Sequence, residues 1–578
     1  MKYARTAAVR ATVLALMASS ALTVMASSAI ANTDGPGVLD YEHMALIGPD
    51  DQEVLGPVLS QPFTGSVSQT FQSGGSHIIS GNPQAASIGL SFEGVSQYDT
   101  RALNSGFSFI PPDTNGAIGA TQFMETTNGG YAVFDKTTGA RTKIVSDAAF
   151  WVAAGGTVIT SGGVQLNNGD ARVLFDATSQ KWIVASFAAN LSTIQIAVSD
   201  TSDATGTWHA TSFVGHSGGI ADYPTLAIDG AAVYIGTNDF SAGGSYQGET
   251  LNVIKRSDLF GTPGAPTTAS LKQFVNPLGA ILAGDDRGYA IQGVNQVNGT
   301  DTGKIIAASN LGPDLLQYSV NNPGTPIATL NNITYLGTTP YDGNGPARQP
   351  SALNPRVVDT LDDRTSSITY EANGHIYAIH TTTPVGGDHT QLVWTVSDAA
   401  TGALIQQGII GDGVHDYFQG SIAVNAAGQV VIGYDRSGSD PSDGNISLFA
   451  ETFGGLASGA LYHTGTFLLH VSPTADYHNG SVDGQHAVGR QRWGDYAQVT
   501  VDPNNSQDFW VIGEFAREPN NAANGHPGGT GGTRWGTWIS QVTLSAVPEP
   551  ATWTMMLLGV GLVGGMARRR AKTVATAA

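Results

Sequence analysis

The chain has 578 residues, of which only 12% are charged; it carries 74 glycines, no cysteine and a formal charge of −20. The lack of cysteine excludes a disulfide framework, a thiol nucleophile and a zinc–thiolate centre, and so acidic a chain repels phosphate backbones, so no nucleic-acid partner is expected. Few charges together with abundant Gly, Ser, Thr, Asn and Val suit short strands and tight turns, so the expected fold class is all-β.

Lys2, Arg5 and Arg10 precede an apolar run from Ala11 to Ala26 and the small-residue site Ala29-Ile30-Ala31. This order of basic, apolar and small residues reads as a signal peptide over residues 1–31, with the Sec translocon as export partner. Residues 32–87 are polar and include Ser73-Gly74-Gly75-Ser76, which reads as a flexible lead-in. Strand-like alternation begins at Ile88-Gly89-Leu90-Ser91-Phe92.

From there one hairpin pattern recurs: an Asp, an alternating strand, a polar turn and a returning apolar strand. Asp113 leads to Phe123-Met124-Glu125-Thr126 and Tyr131-Ala132-Val133-Phe134. Asp170 leads to Val173-Leu174-Phe175, Trp182 to Phe187, and Ile194 to Ser199. Asp222 leads through Leu226-Ala227-Ile228 to Val233-Tyr234-Ile235, with Leu251 to Lys255 after it. Asp286 opens a weaker copy with Tyr289 to Gln292, Ile305-Ile306-Ala307 and Leu315 to Val320. Asp363, Asp416 and Asp495 open the last three, the final one within Arg492-Trp493-Gly494-Asp495-Tyr496.

These seven aspartates are spaced by 57, 52, 64, 77, 53 and 79 residues. Each interval holds four short strands, and radially repeated four-stranded sheets form a β-propeller. The expectation is a propeller over residues 88–545 with seven blades, or six if the Asp286 copy is not one. Two tandem β-sandwiches are the competing architecture, but they have no need to repeat one hairpin. The phrases Pro111-Pro112-Asp113-Thr114-Asn115-Gly116, Asp222-Tyr223-Pro224 and Arg492 to Tyr496 resemble a group of secreted bacterial β-propeller proteins without an established activity. The resemblance implies the fold and no particular chemistry.

At the far end, Pro548-Glu549-Pro550 precedes an apolar run from Ala551 to Ala567 and then Arg568-Arg569-Arg570. The run sits at the short limit for a membrane-spanning helix, and the arginines would hold its end on the cytoplasmic side. The three parts, within residues 546–578, resemble the PEP-CTERM sorting signal of Gram-negative bacteria. The resemblance implies an exosortase partner, a transient stay in the inner membrane, and delivery to the cell surface or an extracellular polysaccharide matrix. A plain single-span anchor is the alternative. Seven of the 26 basic residues and one of the 46 acids lie in the two terminal segments, so the body holds 19 basic against 45 acidic residues, about −26.

The chemical candidates follow from this repetition. If each Asp opens an innermost strand, Asp113, Asp222, Asp416 and Asp495, with Arg492 and Trp493, ring one mouth of the channel, where they could meet calcium or sugar hydroxyls. The structural alternative is that each Asp accepts backbone N–H groups in the turn entering its blade. Asp435, Asp440, Asp443 and Asn445 crowd one turn and form a weak calcium candidate; a solvated turn is the plainer reading. His415 beside Asp416, and His375 with His380, are acid–base candidates, although exposed strand histidines are the plainer reading.

Thr201-Ser202-Asp203-Ala204-Thr205-Gly206-Thr207-Trp208 resembles the Asp box of sialidases, with one residue too many between Asp203 and Gly206. A sialidase-like site would need three arginines, for which Arg172, Arg287, Arg364 and Arg492 are available. No motif selects a catalytic residue. The expected function is therefore a non-catalytic binding or structural role at the cell surface or in the exopolysaccharide matrix, with a secreted glycan hydrolase as the alternative.

Overall fold

The computed structural model describes residues 86–545 apart from 105–107, 157–159, 162–163, 166–168, 277–287, 298–302, 310–312, 332, 351–355, 457, 478–488 and 520–532, together with four short strands between residues 38 and 62. Among the described residues, strand pairing gives seven antiparallel meanders of four strands. The first is Asn115–Ile118, Gln122–Thr127, Gly130–Asp135 and Arg141–Val145. The second is Gly169–Asp176, Lys181–Phe187, Thr193–Ser199 and Trp208–Val214. The third joins Gly219–Asp222 and Ala227–Ile228 to Ala232–Ser241, Tyr246–Lys255 and Lys272–Val275. The fourth is Tyr289–Gln296, Lys304–Ala308, Leu315–Asn321 and Thr334–Leu336.

The fifth is Thr369–Ala372, His375–Pro384, Gln391–Asp398 and Leu404–Ile410. The sixth is Asp416–Val424, Val430–Ser437, Ser447–Gly455 and Leu461–Val471. The seventh is Gln498–Val501, Asp508–Pro519, Thr533–Leu544 and, from the other end of the chain, Ala86–Ser96. The fourth and fifth sheets share hydrogen bonds, because Val294 to Gln296 pairs in parallel with Thr369 to Glu371.

The inner strands explain why these segments are apolar on both sides. Each sheet is packed between two others, so its strands are buried on both faces: Trp182, Ile183, Val184 and Ala185 are all fully buried in succession. The first strands of the seventh, first and second sheets pack side by side, as do those running from the third to the seventh. The second and third sheets meet where Ala221 N–H donates to Leu191 O at 2.7 Å and Arg256 pairs with Asp176. The ring therefore closes, and the chain is a β-propeller. Aromatic residues fill the wedges between sheets: Trp510 lies 5.9 Å from Phe123 and 6.4 Å from Phe92, and such pairs contribute about 0.5–1.5 kcal/mol each beyond their burial.

Closure depends on the strand Ala86–Ser96, which completes the last sheet against Thr533–Leu544. A buried clasp ties it to the first sheet. Glu125 Oε2 accepts the Val95 N–H at 2.9 Å, and the Thr537 hydroxyl lies 2.6 Å from Glu125 Oε1 and 3.0 Å from the Val95 carbonyl oxygen. A threonine hydroxyl has one proton and cannot donate to both oxygens. Both contacts are satisfied when the Glu125 carboxyl is protonated, donating to Thr537 Oγ1 while Thr537 donates to Val95 O. Burial pushes this carboxyl in that direction, to about 8. Gly94 is needed at the same place, because a Cβ there would come within 2.4 Å of both Glu125 Oε2 and Thr537 Oγ1.

The strand expected at Ile88 thus exists, as the outer strand of the last sheet. Asp286 and Arg287 lie outside the described residues, although the three strands expected after Asp286 form the fourth sheet. Residues 1–31 and 546–578 also lie outside them, including Pro548, Glu549, Pro550, Arg568, Arg569 and Arg570. Among the described residues no helix is long and apolar enough to cross a membrane. Within the expected lead-in, Val38–Glu42 pairs with Val58–Pro62, and Ala45–Ile47 pairs with Ser108–Ile110 next to the first sheet.

Candidate functional site

The inner strands share one local device at their starting ends. Asp113, Asp170, Tyr223, Ala290 and Gln419 all adopt left-handed backbone, with φ between 48° and 54°. For residues with a Cβ this conformation costs on the order of 1 kcal/mol, so it persists only where neighbours enforce it. At Asp170, Ala290 and Gln419 it coincides with a break in strand register, so the extra residue forms a β-bulge that re-aims the following side chain. The preceding sheet caps the bulge: Asn128 Oδ1 accepts Asp170 N–H at 3.1 Å, and Asn238 Oδ1 accepts Ala290 N–H at 3.0 Å.

These bulges bring a charged cluster together at one end of the propeller axis. The Arg172 guanidinium lies 3.4 Å over the Tyr496 ring and 5.2 Å from the Tyr223 ring; Arg364 lies 4.2 Å over Tyr223. The two tyrosine rings are 5.1 Å apart. Arg172 Nη1 donates to Ser366 O at 3.1 Å, and Arg364 holds Asp362 through both Nε, at 2.6 Å, and Nη2. Arg492 reaches Asp495 at 3.4 Å and Asp359 at 3.8 Å. Asp113 is fully engaged: Oδ1 accepts Asp495 N–H at 2.9 Å and Oδ2 accepts the Asn128 amide at 2.7 Å.

All these side chains are buried. Burial, followed by the neighbouring Asp170, raises Asp113 to about 7; burial, followed by Asp113, raises Asp495 to about 7. Asp170 moves in the same direction for the same reasons. Arg172 and Arg492 thus lie beside Asp170 and Asp495, whose carboxyls burial has raised toward 7. Among the described residues, the buried donors Arg172 Nε and Arg364 Nη1 meet no acceptor. The tyrosine faces are already covered by Arg172 and Arg364, so an anion reaching this buried end would meet guanidinium N–H groups only where the packed side chains part to admit it.

Of the residues expected at the mouth, Asp113, Asp495 and Arg492 belong to this cluster, and Asp222 is buried beside Tyr223. Asp416 sits elsewhere: it accepts the backbone N–H groups of Arg348 at 2.8 Å and Thr390 at 2.9 Å. The cause is register, since Asp416 precedes the left-handed Gln419 by three residues, whereas Asp113 and Asp170 occupy that position themselves. Trp493 also turns away, donating from Nε1 to Asp435 Oδ2 at 2.9 Å and packing edge-on against Tyr477.

Asp435 is therefore a buried partner of Trp493, while Asp440 caps Ser442 and Asp443 meets His415 in the outer turn. Among the described residues no group of three or more His, Asp or Glu is disposed to hold a metal ion. His380 is buried, with Nδ1 at 3.0 Å from the Asp363 carbonyl oxygen, and burial depresses it to about 4. His375 is five residues away on the same strand and so faces the other side of the sheet. Tyr289 and Tyr341 both donate hydroxyl groups to Asp363. Asp203 closes its own turn with Thr205 on the outer rim.

The tyrosines were the unread part of the repeated phrase. Asp222-Tyr223 and Asp495-Tyr496 share an Asp-Tyr pair, and it is the Tyr that the arginines stack on. Asn128 follows the second strand of its sheet after Thr126-Thr127, and Asn238 lies late in the second strand of its own after Thr237, a smaller signal of the same kind.

Residues 546–571 match the PEP-CTERM protein-sorting motif. The chain thus carries a PEP-CTERM signal behind a propeller, and this implies exosortase-linked export toward the cell surface or beyond. No curated protein matches the chain in sequence. Among solved structures it is similar to the propeller of Dos1, at 9% identity and a TM-score of 0.37, over 80% of this chain and 94% of that one. Hsv2 of Kluyveromyces lactis matches at 8% identity and a TM-score of 0.31, over 75% of this chain and 97% of that one. A thermostable family-43 glycoside hydrolase matches at 12% identity and a TM-score of 0.29, over 66% of this chain and 95% of that one.

Proposed function

We propose that this protein is a surface or matrix protein whose seven-bladed propeller binds acidic polysaccharide without cleaving it. The carrying observation is the sorting motif joined to a propeller whose axial cluster combines three arginines with aspartates already used as structural acceptors. Each Asp113 oxygen accepts a bond from a protein donor, so this carboxyl is held in a structural role. Arg172, Arg364 and Arg492 instead supply positive charge and planar donors suited to uronate-type carboxylates. In this reading a Sec signal delivers the chain, the tail holds it transiently in the inner membrane of a Gram-negative host, and exosortase releases it.

Export is tested by replacing Pro548-Glu549-Pro550 with alanines in the producing cell and fractionating the culture. The variant should remain in the inner membrane while the parent reaches the matrix; equal release of both would reject exosortase handling. A second reading, a glycan hydrolase of the sialidase type, is favoured by the convergence of Arg172, Arg364 and Arg492. It requires release of reducing sugar from an acidic glycoside, with turnover lost in Arg364→Ala.

A further inference from the structure

The position of the last strand fixes which face of the propeller the sorting tail leaves from. In the seventh sheet the inner strand Gln498–Val501 starts beside Tyr496 at the cluster and runs away from it to the turn at 502–508. Asp508–Pro519 returns toward the cluster end, and Thr533–Leu544 runs away again, so Leu544 lies beside that turn. Three bonds pin it there. Leu544 N–H donates to Gln507 O at 2.8 Å, the Thr543 hydroxyl donates to Asp508 at 2.6 Å, and the Gln429 side-chain amide of the sixth sheet donates to Ser545 O at 3.0 Å.

This strand cannot readily peel off, because it is interior to its sheet and Ala86–Ser96 closes the propeller on it. Ser545 is thus fixed to the body only three residues before Pro548 and six before the apolar run that opens at Ala551. A fully extended chain covers at most about 3.3–3.6 Å per residue, so the Pro-Glu-Pro motif lies within about 11 Å of Ser545 and the apolar run begins within about 20 Å. Four strands at about 4.8 Å spacing make each blade roughly 15–19 Å deep, so the leash to the apolar run is no longer than about one blade and the motif lies closer still.

We infer that, while the tail is in the membrane, the face formed by the turns at 119–121, 177–180, 425–429 and 503–507 is held against the membrane and its processing enzyme, and the Arg172–Tyr223–Tyr496 face points away from it. This deepens the proposed function and rests on its sorting step. The processing enzyme must work in the narrow gap beneath this turn face, contacting its polar rim at Asn504, Asn505 and Ser506, which are exposed. The arginine–tyrosine end faces away from the membrane throughout this stage.

The chain has no cysteine, so single cysteines report accessibility without background. Asn504→Cys on the turn face, and Asn190→Cys in the exposed loop following Lys181–Phe187 at the cluster end, are placed separately in the full chain carrying the Pro548-Glu549-Pro550 alanine replacement. Labelling by a bulky polyethylene-glycol maleimide is measured in spheroplasts and after detergent release. Asn504→Cys should label at least fivefold more slowly in the membrane than in detergent, and Asn190→Cys equally in both. Inserting about 20 Gly/Ser residues after Ser545, a leash with a root-mean-square reach of about 25 Å, should restore labelling at Asn504→Cys.

Equal labelling at both positions in membrane-held protein would overturn the orientation while leaving the sorting step intact. Protein not held in the membrane at all would overturn the sorting step and the orientation with it. Protection at Asn504→Cys that persists with the long insert would also overturn the inference, since the leash would not be its cause.

Discussion

Replacing Glu125 with glutamine isolates one buried proton. The carboxyl titrates near 4.5 in the unfolded chain and near 8 in the folded one. Because the folded value is the higher, its stabilisation is complete below pH 4.5 and is lost as pH rises through 8. Across that window each pH unit removes about 1.36 kcal/mol, so at pH 8.5 the wild type carries a penalty of up to about 4–5 kcal/mol from this group. Glu125→Gln removes the titration but keeps the geometry: its carbonyl accepts Val95 N–H and its amide donates to Thr537 Oγ1. Urea unfolding followed by tryptophan fluorescence should find the variant within about 1 kcal/mol of wild type at pH 5 and several kcal/mol more stable at pH 8.5. Taking the difference cancels the other buried acids. A difference independent of pH, or a glutamine equally destabilising at both values, would mean that Glu125 is ionised in the fold and that the proton count at the clasp is wrong.

Other substitutions probe the remaining links. Gly94→Ala drives a Cβ into Glu125 and Thr537 and should cost about 1–3 kcal/mol, seen as a lower urea midpoint. Trp493→Phe strips Asp435 of its donor and should cost about 1–3 kcal/mol, read by calorimetry; an unchanged melting temperature would place Asp435 outside the need for that bond. Arg172→Met removes the donor to Ser366 O and the guanidinium over Tyr496 and should cost about 1–3 kcal/mol, read by urea unfolding. Arg172→Lys should not restore the loss, because an ammonium cannot stack between two tyrosine rings as a guanidinium does.

The hairpin repetition was legible because its contacts are local: each unit's strands follow one another, and the expected segments at Leu315 to Val320 or Val233 to Ile235 match strands in the structure. Closure was not legible in the same way. Ile88 to Gly94 announces a strand, but nothing local identifies a partner some 450 residues away, as with Ser91 and Ser540. The site divides similarly. A repeated Asp suggests a ring, yet a shift of three residues removes Asp416 from it, and backbone handedness at Gln419 decides this without any mark in the local pattern. Arg172, Arg364 and Arg492 were visible as scarce cations in an acidic body, whereas their meeting place depends on bulges in separate sheets. Trp493 seemed exceptional because its equivalents in other copies are not tryptophan; its specialty is a private bond to Asp435.

The most direct measurement for the account as a whole is sedimentation of the protein with acidic exopolysaccharide purified from its own host, reading both the bound fraction and the polymer length. The account predicts that the protein co-sediments, is displaced by free uronate but not by neutral sugar, and leaves the polymer length unchanged. A polymer that shortens while the protein remains unbound would contradict it.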